Sequence, residues 1–344
     1  MAEGVRHARR DRTDNHTMRR LGRRLGSIVL RLPRLSEALR TLAHLRGHRL
    51  ALVYHRLCVT PAAAGELVPT VPVDVFRAHL NALRDTVDLV TVDELVSDER
   101  DTNERRKAGY RPAVAVTFDD DLASHSEHAL PILRELGVPA TFFLSGRALH
   151  GQGPYGFQQL EALLLAHGAK ETMALLGVSV LNMPDLVLAC ERSPKLRERV
   201  RELAAHLPAT DMLDGAGIAA LGRGGMSVGF HTTDHQVLPD LDDAALDHAV
   251  THGRLALAAT AGAAVRHFAY PYGQADSRSA TAVRRAGFVA AFTGDGQPIR
   301  RGDDRYRLGR WEPGPVSADD LLRRLAVRLH RGHVRPATHN ARWM

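Results

Sequence analysis

Ala113-Val114-Ala115-Val116-Thr117-Phe118-Asp119-Asp120 is the stretch that decides the fold of this chain. An apolar run without polar alternation reads as a parallel strand covered on both faces. In parallel sheets and barrels, chemistry gathers where strands end. This strand ends in two carboxylates. A second run, Ser227-Val228-Gly229-Phe230, ends in His231-Thr232-Thr233-Asp234-His235. Asp120, His231 and His235, converging at the carboxyl ends of strands, make a ligand set for a divalent metal with an open position. Asp119 would remain free to act as a base.

Outward from these two runs, short apolar strands alternate with helical segments. Strands are expected over 50–54, 89–92, 139–144, 226–230, 265–270 and 288–292. Helices are expected over 76–83, 128–136, 218–224, 244–260, 277–286 and 319–330. A mostly helical stretch over 157–206 reads as an insertion, bounded at about 150 and 215. Strict alternation implies an α/β chain with a parallel sheet, and seven or so units imply a barrel.

Composition bounds the functional class. The chain has 344 residues, 44% hydrophobic and 25% charged, as soluble globular proteins do. Its net charge of +7 is unevenly spread: residues 1–49 carry +9, and the remainder carries −2. The basic character therefore belongs to a leader, which argues against a nucleic-acid groove in the body. The division is a basic, partly disordered leader over 1–48, a folded body over 49–330 and a basic tail over 331–344.

In the leader, Leu21, Leu25, Ile28, Leu32, Leu35, Leu39, Leu42 and Leu45 recur at helical spacing among Arg19, Arg20, Arg23, Arg24, Arg31 and Arg34. Residues 19–46 thus read either as a basic amphipathic helix on an anionic membrane or as a helix packed on the body. The apolar stretch Ile28-Val29-Leu30 is shorter than the roughly 7–15 residues of a secretory core. Cys58 and Cys190 form no metal or disulfide pattern. These features together point to a cytoplasmic protein, peripheral at the membrane if the helix lies on it.

A third motif joins the first two: Arg266-His267-Phe268-Ala269-Tyr270-Pro271-Tyr272-Gly273. With Thr117-Phe118-Asp119-Asp120 and His231-Thr232-Thr233-Asp234-His235, in this order and each at a strand end, it resembles the polysaccharide deacetylases of carbohydrate esterase family 4, including their nodulation-type domain. Val53-Tyr54-His55-Arg56 and Phe142-Phe143-Leu144-Ser145-Gly146-Arg147 carry the same resemblance, which spans roughly residues 50–325. It implies a distorted (β/α)7 barrel with a helical insertion, a divalent metal (zinc, with cobalt as the alternative) and removal of an N-acetyl or O-acetyl group from a sugar or glycan. By that resemblance Asp120, His231 and His235 hold the metal. Asp119 is the general base, Arg266 orients it, and the backbone N–H of Tyr272 helps to form the oxyanion hole. Tyr270, Pro271, Trp311 and Asp121 are the expected substrate contacts.

Other readings of these residues stand beside those. Asp119-Asp120 also reads as a helix N-cap. The histidines also read as surface residues in a chain that has 19 of them. Arg266 also reads as an ordinary rim ion pair, and His55 as a buried histidine on a backbone hydrogen bond. The chain departs from the family in two places. Asp121 stands where Gly is usual, and the late Leu-x-His motif that supplies a general acid is not evident. A non-catalytic sugar-binding relative and a hydrolase of a non-sugar amide are the alternative functions.

Overall fold

The computed structural model describes residues 49–59, 66–97, 111–208 and 212–331. The leader, with its expected helix over 19–46, and the tail beyond Arg331 lie outside the described residues. No helix among the described residues is long and apolar enough to cross a membrane.

The framework is a parallel barrel sheet. In chain order its strands are β1 (Leu50–Tyr54), β4 (Asp88–Leu89), β5 (Ala113–Asp119), β6 (Ala140–Leu144), β7 (Ser227–Phe230), β8 (His267–Ala269), β9 (Ala290–Phe292) and β10 (Arg310–Trp311). They pair in the order β10-β1-β5-β6-β7-β8-β9, with β4 added beside the start of β5. A parallel bridge between Phe292 and Leu308, just ahead of β10, nearly closes the ring. Two short strands, β2 (Arg56–Cys58) and β3 (Thr70–Pro72), pair beside the mouth. This is the expected (β/α)7 barrel.

Helices cover the outside: α1 (Val73–Thr86), α2 (Val92–Val96), α3 (Leu130–Leu136), α7 (Gly215–Arg223), α8 (Asp243–Thr251), α9 (Arg254–Ala261), α10 (Ser277–Arg285) and α11 (Ala318–Arg331). The insertion is α4 (Gly156–Leu176), α5 (Met183–Arg192) and α6 (Pro194–Ala204), as expected from the sequence. The reading of 244–260 as one helix is corrected. It breaks into α8 and α9 at Gly253, whose φ of 83° no regular helix accommodates.

Strand alternation sorts the side chains. On β5, Val114, Val116 and Phe118 face the outer helices, in one cluster with Leu80, Leu133 and Leu321. Ala113 and Ala115 face inward with Ala51, Ala269, Ala290, Phe143 and Phe292. Small residues dominate the inner layer because the ring leaves little room at its axis. Asp119 shares the parity of Ala113, Ala115 and Thr117, so it points into the barrel at its carboxyl end. The insertion builds a third cluster, in which Phe157, Leu160, Leu163, Leu186 and Val187 pack with Leu67 and Val68. An ion pair, buried on the Glu161 side, fastens it to β2 beside the mouth. Arg56 donates to both Glu161 oxygens at 2.9 and 2.6 Å, and Glu161 also accepts from Leu67 N.

Candidate metal centre and active site

Asp119 and Asp120 leave the same strand in different directions. Asp119 ends β5 in extended conformation, and Asp120 turns away at φ 72°. Thr232 (φ 63°), His235 (φ 57°) and Tyr272 (φ 56°) are the other non-glycine residues with positive φ among the described residues. Such backbone costs about 1–3 kcal/mol per residue and persists where the surroundings impose it. All four lie in the three loops that sequence analysis singled out.

Those loops converge. Asp120 Oδ1 lies 3.3 Å from His235 Nε2 and 3.7 Å from His231 Nε2. One ligand atom from each of the three residues falls within 4.8 Å of the others, and all three residues are buried. The donor set fits a divalent cation. Asp120 Oδ1 takes no hydrogen bond although it is buried, which is costly unless a cation completes it. His231 donates Nδ1–H to Ala269 O at 2.9 Å, which assigns its Nε2 lone pair to the cluster. Burial lowers the His231 pKa to about 4, so the ring is neutral at physiological pH. Burial alone would raise the Asp120 carboxyl; the closeness of His235, then the charges of His55 and His231, outweigh it and hold it well below the usual range.

The histidine loop is held on several sides. Thr233 Oγ1 donates to His252 O at 3.0 Å and Thr233 N to Ala249 O, seating the loop on the end of α8. Tyr155, Phe157 and Tyr272 surround the His235 ring, with centroids 5.3, 5.0 and 4.7 Å away.

Asp119 has an arginine, but not the expected one. Arg310 of β10 reaches it with both terminal nitrogens, at 2.6 Å to Oδ1 and 2.5 Å to Oδ2. Burial alone would raise the Asp119 pKa; the Arg310 charge reverses that, helped by His231, the Arg310 hydrogen bonds and His55. Arg266 instead pairs with Asp93 at 2.9 Å and is half exposed. It precedes β8, at the amino end of the barrel, whereas Asp119 ends β5 at the carboxyl end. In a parallel sheet these are opposite faces.

Three expected substrate contacts are likewise corrected. Trp311 follows Arg310 on β10, so alternation turns it outward against α11, where Arg328 lies over its ring. Tyr270 is fully buried in the same outer cluster and donates to Tyr306 O. Asp121 is fully buried and its carboxylate is spent on the backbone of Ser145, Gly146 and Arg147. Pro271 is buried and opens the turn that presents Tyr272.

His55 lines the same cavity as Asp119. Its Nδ1 lies 3.3 Å from Glu312 Oε1, and its carbonyl accepts from His125 Nε2. Burial opposes its protonation; the hydrogen bond and charge of Glu312, then Asp120 and Asp119, prevail and raise its pKa to about 9. The signal for Arg310 and Glu312 stood in Gly309-Arg310-Trp311-Glu312, where sequence analysis singled out only the tryptophan.

Asp119, Asp120, His231, His235, His55 and Tyr272 line a cavity of about 50 Å³. Leu67, Val68, Pro69, Phe157 and Val187 form its apolar wall. At the roughly 10–15 Å³ that one water needs, that space admits a few water-sized groups, enough for an acyl amide at its inner end.

The polysaccharide deacetylase family model matches residues 106–291. Among solved structures, the Streptococcus pyogenes deacetylase PplD, in complex with acetate, aligns with TM-score 0.54 at 16% identity, over 80% of this chain and 96% of that one. IcaB from Ammonifex degensii aligns with TM-score 0.51 at 22% identity, over 82% and 97%. A de-N-acetylase from Aggregatibacter actinomycetemcomitans aligns with TM-score 0.51 at 15% identity, over 79% and 96%. No curated protein matches the chain.

Proposed function

The chain belongs to the polysaccharide deacetylase family, and from that premise we propose that it is a metal-dependent hydrolase removing an N-acetyl group, less readily an O-acetyl group, from a sugar or glycan. The observation that carries this reading is the convergence of Asp120, His231 and His235 beside an arginine-clamped Asp119. Asp120, His231 and His235 would hold the cation, with zinc or cobalt suited to the nitrogen-rich set. Bound there, it would supply Lewis acidity, polarising the acyl carbonyl and acidifying a water.

The remaining work falls to the chain's own groups. Asp119 takes the proton of the attacking water, and Arg310 keeps its carboxylate ionised and aimed. The backbone N–H of Tyr272, a residue held in left-handed conformation at the rim of the cavity, would donate to the developing oxyanion. His55, protonated at neutral pH and steadied by Glu312, gives its proton to the leaving amine. The apolar wall excludes bulk water and receives the acyl methyl.

The test is acetate release from N-acetylglucosamine, its oligomers and O-acetylated sugars. Release from any of them supports the reading. Binding without release would identify a sugar-binding relative instead. A second reading is an amide that is not a sugar: Leu67, Val68, Pro69 and Val187 give the cavity an apolar wall that would receive any small acyl group. Release from simple N-acetyl amides alone would select it.

A further inference from the structure

We propose that Asp121 is a positioning residue that aligns both metal-binding histidines from behind. This rests on the reading of Asp120, His231 and His235 as cation ligands. Asp121 is fully buried. Its Oδ1 accepts from Ser145 N at 3.0 Å and its Oδ2 from Arg147 N at 2.9 Å, with the Gly146 N–H directed at it between them. Gly146 has φ 72°. Consecutive N–H groups around a left-handed residue form a concave anion-binding nest. Here the anion is a side chain of the same protein, and it locks the loop after β6 to the end of β5.

That loop reaches each histidine separately. Ser145 Oγ donates to His231 O at 3.1 Å, and His231 N donates to Leu144 O at 3.0 Å. Arg147 approaches Asp234, the neighbour of His235, at 3.4 Å and lies 4.8 Å from the centroid of the Tyr155 ring. Tyr155 in turn packs on the His235 ring. The backbone N–H of Leu213, where the insertion returns to the barrel, donates to Asp121 O. One buried residue thus joins the Asp119-Asp120 strand end, both histidines and the end of the insertion. Glycine at this position would leave the nest N–H groups without a carboxylate.

Cobalt titration of the metal-stripped full chain tests this, read by the visible d–d spectrum and by competition with a chelator. Asp121→Asn keeps the shape but sets an amide against one N–H. It is expected to lower cobalt affinity roughly 10- to 100-fold, as loss of outer partners of metal ligands does, and to change the d–d bands, with KM unchanged. Ser145→Ala removes only the hydroxyl on His231 O and is expected to lower affinity roughly 2- to 10-fold. If Asp121→Asn does not fold, Ser145→Ala decides. Unchanged affinity and spectrum in the variants, with or without a lower melting temperature, would overturn the proposal. So would a raised KM with both unchanged, because Asp121 would then be a substrate contact. Wild-type protein that takes no cobalt would instead refute the metal reading itself.

Discussion

Arg310 and Asp119 stand 191 positions apart in sequence and form a two-pronged, fully buried ion pair. β10 meets β1, and β1 meets β5, so the arginine reaches over one strand to the carboxylate. Two further donors go to Thr117 Oγ1 and Thr293 O. A planar fork matched to a carboxylate is not replaced by lysine. Removing one partner of such a pair costs about 3–5 kcal/mol. Arg310→Lys is therefore expected to lower kcat by roughly 10²-fold or more, through a misaimed base. Arg266→Ala, which removes an exposed pair worth about 0–1 kcal/mol, is expected to leave turnover within about 2-fold. Steady-state kinetics on the two variants checks both; the opposite ranking would restore Arg266 as the partner of Asp119.

His55→Gln keeps a similar volume but cannot donate a proton as an acid. It is expected to lower kcat roughly 10²- to 10⁴-fold on substrates with a poor leaving amine, with metal content unchanged. The loss is expected to shrink on an activated ester, whose leaving group needs no proton. In the wild type, deprotonation of His55 gives the alkaline limb of the rate profile. That limb should lie at or below pH 9, since the charge of a bound dication lowers the value of about 9 found for His55 without one. Equal losses on amide and activated ester would argue against the acid role.

The same histidine makes a signed statement about stability. Its folded pKa of about 9 exceeds its ordinary 6.5. A raised histidine stabilises fully below the unfolded pKa, and the contribution disappears as pH rises through the folded pKa. In metal-stripped protein, stability should therefore fall between about pH 6.5 and 9, by at most about 3 kcal/mol from this group. Glu312→Gln removes the main cause of the shift and should flatten that segment. Thermal melts at intervals of pH on both proteins check it; parallel curves would contradict it.

The insertion is held over the site by Arg56 and Glu161. Glu161 also fixes the backbone of Leu67, and Leu67 lines the cavity. Glu161→Gln leaves Arg56 part-buried with Glu66 still 3.5 Å away, so it is expected to cost about 1–3 kcal/mol of stability and to raise KM by loosening the wall, with little change in metal affinity. Denaturant melts and kinetics together check it; a stable variant with unchanged KM would show that the pair does not shape the cavity.

How far the sequence was legible follows from these contacts. The apolar runs at 50–54, 113–118, 139–144 and 226–230 revealed the barrel, because a strand buried on both faces has no polar alternation to confuse it with. Asp119, Asp120, His231 and His235 were legible because each sits at or just beyond a carboxyl end. Arg266 misled because residue type and proximity to a strand do not say which end of the strand is near. Only the start of β8 at His267 puts it on the far face. Trp311 was expected at the site and Arg310 passed over for the same kind of reason, since a two-residue strand offers no pattern from which to read parity. Asp121 looked like a third carboxylate at the mouth. That its oxygens turn back onto Ser145 and Arg147 depends on a nest that exists only once β6 lies beside β5.

In the proposed mechanism Asp120, His231 and His235 hold one catalytic cation beside the base Asp119. Metal content by mass spectrometry tests it most directly, on the purified wild type, on His231→Ala/His235→Ala and on Asp119→Asn. About one zinc or cobalt per chain is expected in the wild type and in Asp119→Asn, with none in the double variant and no acetate release by Asp119→Asn. Absence of metal from the wild type even after zinc is added, or equal metal in the double variant, would contradict the account.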